Sequence, residues 1–134
     1  MQKTLWYRLP VVFYCALIFW QSSFASPASL PGFAFSDKLL HLGGYGVLGF
    51  LVIRALWREG FETDGKRLAM AAIAFSTLYG LSDEIHQSFV SQRSAQAGDL
   101  AADAIGSCLG VAFFLLGKRV MAGKTARGQK TRNI

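Results

Sequence analysis

An all-α protein, a four-helix transmembrane bundle with N-terminus and C-terminus cytoplasmic, is expected from three observations. The chain is 52% hydrophobic and only 16% charged, with a mean hydropathy of +0.33, whereas soluble domains run near about 25% charged. Four apolar segments follow one another, each close to the ~20 residues a helix needs to cross a hydrocarbon core. The basic residues gather on one side of a membrane if the chain threads it four times. A length of 134 residues allows one domain. Disorder is excluded, because it requires low hydrophobicity and high charge.

The first segment covers residues 9–25 and follows Lys3 and Arg8. Pro10 suits a first helical turn, and Pro27 and Pro31 mark an exit loop. Ser23-Phe24-Ala25 also resembles a signal-peptidase site, and cleavage there would leave three spans. The length of the apolar run favours a retained helix. The second segment covers residues 39–57, the third 68–85 and the fourth 100–117. None carries the charged face that a soluble bundle would need. Residues 1–117 therefore read as one membrane domain.

The segment 118–134 is a basic cytoplasmic tail with Lys118, Arg119, Lys124, Arg127, Lys130 and Arg132 and no acid. It accounts for the whole net charge of +6 and for the pI of about 9.7. A nucleic-acid-binding domain would spread such charge over a folded face, so no nucleic-acid partner is expected. A cytoplasmic start puts Lys3, Arg8, Arg54, Arg58, Lys66, Arg67 and the tail inside, leaving only Lys38 and Arg93 outside. That arrangement satisfies the positive-inside rule at every loop and predicts a multi-pass protein of the cytoplasmic (inner) membrane. Trp6, Tyr7 and Trp57 fall at the inner interface. Cys15 and Cys108 lie within apolar runs and read as buried thiols rather than a disulfide or metal pair.

Polar residues do not follow the apolar trend. Five of the eight acids, Asp37, Asp83, Glu84, Asp99 and Asp103, fall at the outer helix ends, with both histidines, His41 and His86. Asp37, His41 and Tyr45 recur at four-residue steps, as do Asp99 and Asp103, so each set lines one helix face. Asp83 and His86 are three apart, as are Glu84 and Gln87. Ionisable groups within spans are costly and face one another or a wet cavity. Three helices offering carboxylates at one depth predict a shared pocket, with Arg93 in the loop above it. Small residues at Ala72, Ser76 and Gly80, at Ala102, Gly106 and Gly110, and at Gly43, Gly44, Gly46 and Gly49 predict close helix approach.

The series Asp37-Lys38-x-x-His41-x-x-x-Tyr45, Asp83-Glu84-Ile85-His86-Gln87, Arg93-Ser94, Asp99 and Asp103-x-x-Gly106-x-x-x-Gly110 resembles the VanZ-like family of bacterial membrane proteins. The resemblance spans residues 36–117. It implies a small, several-helix integral protein of the cell envelope. The family's named member is associated with resistance to teicoplanin, a lipoglycopeptide antibiotic. Many members carry Asn where this chain has Asp103, and Pro-Gly where it has Ser91-Gln92.

Three chemistries suit the polar residues. In the first, Glu84, His86 and Asp83 are candidate catalytic residues, with Glu84 as general base on a bound water. His41, His86, Asp37 and Asp83 would then hold a divalent metal. Lys38, Arg93, Gln87, Tyr45, Asp99 and Asp103 would bind a lipid or lipid-linked envelope molecule, with Arg93 on an anionic head group. In the second, the same pocket binds a membrane lipid, a lipid-linked precursor or a lipoglycopeptide without reaction. In the third, the polar groups are a packing network: Asp37 pairs with Lys38, caps the second helix or hydrogen-bonds across helices, Asp99 sits at an N-cap or in a first turn, and Arg93 bridges Asp83 or Asp99. A bundle of only four helices leaves room for an oligomer.

Overall fold

Leucine, alanine and other side chains not branched at Cβ dominate the apolar segments and favour helix. A computed structural model describes residues 2–24, 36–58, 64–91, 93 and 95–132, and every regular element among them is an α-helix. α1 runs over Gln2–Ser22, α2 over Ser36–Arg58, α3 over Gly65–Gln87 and α4 over Ala97–Arg132. The expected exit loop at Pro27 and Pro31 lies outside the described residues, as do Ala25, Gln92 and Ser94.

Two boundaries differ from expectation. α1 starts before the apolar run, so Pro10 lies inside the helix rather than in its first turn. A proline there removes one backbone donor from the helix. α4 does not stop near Gly117 but continues through the basic segment to Arg132. Alanine, lysine and arginine are good helix formers, and isolated glycines without a proline do not end a helix. α3 starts where Asp64 accepts the Lys66 backbone N–H at 3.2 Å, a side-chain N-cap.

Glycine sets the closest helix pair. A Cβ at Gly106 would strike the Leu42 carbonyl, and one at Gly110 would strike that of Gly46, so α2 and α4 touch backbone to backbone. Gly49 faces Ser107 in the same seam. Gly43 and Gly44 stand outside it: a Cβ at Gly43 meets nothing within 4 Å, and one at Gly44 only the Tyr14 hydroxyl. On α3, Ala72, Ser76, Gly80 and Glu84 are all buried, the expected small-residue stripe ending in a carboxylate. Tyr45, Leu48, Val52, Ile53, Leu68, Ala72 and Val111 form the core between α2, α3 and α4. α1 lies against α2 and reaches α3 through the Tyr79 hydroxyl, which donates to the Cys15 carbonyl at 2.7 Å.

The surface inverts the pattern of a soluble protein. Phe13, Trp20, Leu40, Met70, Phe89 and Phe113 are exposed, while Asp83, Glu84, Asp99 and Asp103 are buried. Such an exterior suits lipid. The stretches Asp37–Arg58 and Ala97–Lys124 are long and apolar enough to cross a membrane. Cys15 and Cys108 are free thiols, as expected, but only Cys15 is partly covered and Cys108 points outward. In lipid the outward position is also apolar, so the apolar run around Cys108 could not distinguish core from exterior.

The two ends of the bundle differ in chemistry. At one, Arg54 and Arg58 lie over the Tyr7 ring at 5.2 and 5.5 Å, and Lys118 lies over Trp57 at 5.4 Å. At the other, where α1 and α3 finish and α2 and α4 start, the buried acids gather.

Candidate functional site

Four-residue spacing sends Asp37, His41 and Tyr45 down one face of α2, and Asp99, Asp103 and Ser107 down one face of α4. The glycine seam brings these faces together. His41 Nδ1 lies 2.9 Å from Asp103 Oδ1, within hydrogen-bonding distance. The other ring nitrogen, Nε2, stands 4.0 Å from Glu84 Oε1 on α3. Glu84 Oε2 accepts the Gln96 backbone N–H at 2.8 Å, which ties the α3–α4 loop to the cluster. Lys38 Nζ donates to Asp99 Oδ1 at 2.8 Å and to Gln96 Oε1 at 3.3 Å. The Tyr45 ring is stacked against His41, 6.2 Å between centroids. Asp103 lies over Gly80, where a Cβ would come 2.5 Å from Oδ2, so α3 clears space for this carboxylate with a glycine.

Burial is nearly complete: relative exposure is 8% for His41, 4% for Glu84, 1% for Asp99 and 0% for Asp103. Two carboxylate oxygens, Glu84 Oε1 and Asp103 Oδ2, and the Tyr45 hydroxyl have no hydrogen-bond partner among the described residues. Lys38 balances Asp99, so Glu84 and Asp103 share His41 alone. Buried acids with free acceptor atoms are costly in an apolar surround and favour a cation or a donor-rich ligand.

A second network lies on the α1 side of α3. Asp83 Oδ2 accepts from Ser22 Oγ and from Gln87 Nε2, both at 2.9 Å. Arg93 donates through Nη1 to Gln87 Oε1 and through Nε to the Phe24 carbonyl, both at 3.2 Å. Ser23 Oγ and His86 Nε2 are 3.1 Å apart, and the His86 ring lies 4.5 Å from that of Phe19. α3 thus separates the polar residues: Glu84 faces α2 and α4, while Asp83, His86 and Gln87 face α1.

Donor atoms close enough to share a metal ion occur in two overlapping groups, His41 with Glu84 and Asp103, and Asp37 with His41 and Asp99, each within 4.8 Å. His41 and Asp37 are thus among the expected ligands that the fold brings together. Asp83 and His86 lie in the α1 network instead. Of the roles open to Asp37, it occupies the first turn of α2, and Lys38 reaches across to Asp99. Arg93 was expected to bridge Asp83 or Asp99, but it bridges Gln87 and the Phe24 carbonyl. Asp99 does occupy the first turn of α4.

Ser22, Ser23 and the Gln96 backbone belong to the polar end and are absent from the sequence-based site. Ser22 and Ser23 interrupt an apolar run just before its end, which was their one visible signal. A backbone N–H leaves no signal in sequence at all.

No curated protein and no solved structure matches the chain. The VanZ/LLP1 family matches residues 16–118, from the middle of α1 to the start of the basic part of α4. With two helices of spanning length and composition, the chain is a membrane protein, and it belongs to the VanZ/LLP1 family.

Proposed function

We propose that this protein crosses the cytoplasmic (inner) membrane four times, with both termini cytoplasmic, and uses the His41–Glu84–Asp103 cluster to bind or act on the polar head of a membrane amphiphile. The amphiphile is a lipid, a lipid-linked envelope precursor or a lipoglycopeptide of the teicoplanin type. One observation carries the reading. The free acceptor atoms Glu84 Oε1 and Asp103 Oδ2 are buried at one end of a bundle whose sides are apolar. An amphiphile would keep its chain in the bilayer along such sides and bring its head to the acids. In a reaction, Glu84 is the group placed to take a proton from water or a hydroxyl, because one of its oxygens is held by the Gln96 N–H and the other is free.

The packing reading fits the α1 side better. There Ser22, Asp83, Gln87 and Arg93 satisfy one another and the Phe24 carbonyl, which is the behaviour of a structural network. The working half of the polar end is therefore the α2–α3–α4 half.

Teicoplanin susceptibility of a sensitive host tests the reading, with membrane levels matched by blotting. The wild type is expected to protect, Glu84→Gln to abolish protection and His86→Ala to weaken it less. Equal protection by wild type and Glu84→Gln removes the cluster from this activity. Failure of the wild type to protect removes the antibiotic and leaves lipid or lipid-linked precursor as the head group to test.

A further inference from the structure

The cluster holds more acids than bases. Glu84 and Asp103, when ionised, bring two negative charges against at most one positive on His41, while Lys38 is engaged by Asp99. All three cluster residues are more than nine-tenths buried. Burial of an uncompensated carboxylate is strongly unfavourable, and most of all between membrane helices. Proteins meet this cost by protonation of the acid or with a counter-charge, and His41 is the one basic side chain paired with Glu84 or Asp103 among the described residues.

The cluster has spare acceptor atoms and donors that lie close together. Glu84 Oε1 has no hydrogen-bond partner, and it is the atom that stands 4.0 Å from His41 Nε2. Asp103 Oδ2 is likewise without a partner. One donor from each of His41, Glu84 and Asp103 lies within 4.8 Å of the others. A metal about 2.0–2.2 Å from each nitrogen and oxygen spans donors at such separations after small side-chain movements.

We propose that His41, Glu84 and Asp103 form a binding site for one divalent transition-metal ion. Mixed imidazole and carboxylate donors select a borderline ion such as Zn2+ or Co2+ rather than Mg2+ or Ca2+, which prefer oxygen alone. Three protein ligands leave a coordination position open, the arrangement of reactive rather than structural sites. The open position would face the head group of the amphiphile. The inference thus rests on the reading of this cluster as the working site, but its test uses the metal alone.

The full-length chain, purified in detergent through a tag without histidine and stripped with chelator, is titrated with Co2+ and followed by its visible absorption. The wild type is expected to take up a single Co2+ that Zn2+ displaces. Glu84→Gln should weaken binding by more than about a hundredfold, beyond the tenfold to hundredfold typical of a residue that only supports a ligand. His86→Ala should bind as wild type. His41→Cys should add a near-ultraviolet thiolate-to-cobalt band that the wild type, with Cys15 and Cys108 intact, does not show. Absence of Co2+ and Zn2+ binding at micromolar concentration by a wild type with a native melting transition overturns the site. So does equal weakening by His86→Ala and Glu84→Gln, or Co2+ binding by His41→Cys without the new band. A chain that binds Co2+ but does not protect keeps the metal site and loses the antibiotic reading, and protection without metal does the reverse.

Discussion

The hydroxyl of Ser22, the last residue of α1, donates to the buried carboxylate of Asp83 on α3 at 2.9 Å. Beside it, the Phe24 carbonyl accepts from Arg93. The end of α1 is therefore bonded to the same helix end that carries the candidate site.

The first expectation concerns the fate of α1. Removal of the chain before Pro27 would leave Asp83 with Gln87 as its one hydrogen-bond partner among the described residues and uncover the core that Cys15 and Ile18 pack against. The protein recovered from membranes should retain α1, as an intact mass will show. Ser22→Ala should cost about 1 kcal/mol, the net worth of one hydrogen bond, read as a lowered midpoint in thermal unfolding. An intact mass that begins after Ala25 overturns the expectation.

The second concerns the α2–α4 seam. Gly110→Ala places a methyl group against the Gly46 carbonyl and forces two backbones apart. Overpacked cores lose about 1–3 kcal/mol, and here no flexible side chain can yield. Gly43→Ala enters open space and should be neutral or stabilising by up to ~1 kcal/mol through helix propensity. Melting of the two variants side by side separates them; equal behaviour would mean that the seam is not the tight contact described here.

The third concerns Lys38 and Asp99. Asp99 is 1% exposed, and Lys38 is its ion-pair partner. Lys38→Met should destabilise the fold by stranding a buried acid, whereas Lys38→Met with Asp99→Asn should recover most of the loss. A double variant as unstable as the single one would show that Lys38 acts through something other than this pair.

The fourth concerns orientation. With both termini cytoplasmic, a single cysteine at Ser88 should react with a membrane-impermeant maleimide in intact cells, and one at Lys124 only after lysis. The background is Cys15→Ser, Cys108→Ser. The opposite pattern inverts the bundle and puts the candidate site on the cytoplasmic side.

Much of this architecture is visible in the residue pattern, for reasons that differ by element. α2 shows through because an apolar run of spanning length has few alternatives to helix in lipid, and α3 because its run is long and rich in good helix formers. The partnership of α2 and α4 shows in Gly46, Gly106 and Gly110, since only glycine permits such an approach. The three-helix convergence of His41, Glu84 and Asp103 follows from spacing plus the cost of placing them in lipid. Its details do not. Spacing puts Glu84 and His86 two residues apart and thus on differing sides of α3, but which side meets α1 depends on helix rotation, which the apolar pattern around an all-apolar helix does not fix. For the same reason the choice of Asp99 over Asp37 by Lys38 was not visible. The length of α4 was missed because hydropathy reports where lipid ends, and helix formation does not stop there.

That last point has a mechanical side. An uninterrupted helix of 36 residues, at ~1.5 Å per residue, is about 54 Å long, well beyond a hydrocarbon core of about 30 Å. Asp99 and Asp103 sit near one tip of this rod, and the cationic stretch from Lys118 onward occupies the other. The glycine seam with α2 lies nearer the acidic tip, and Phe114 and Lys118 against Trp57 continue the contact toward the other. One unbroken run of helical hydrogen bonds therefore joins the acidic cluster to the basic segment.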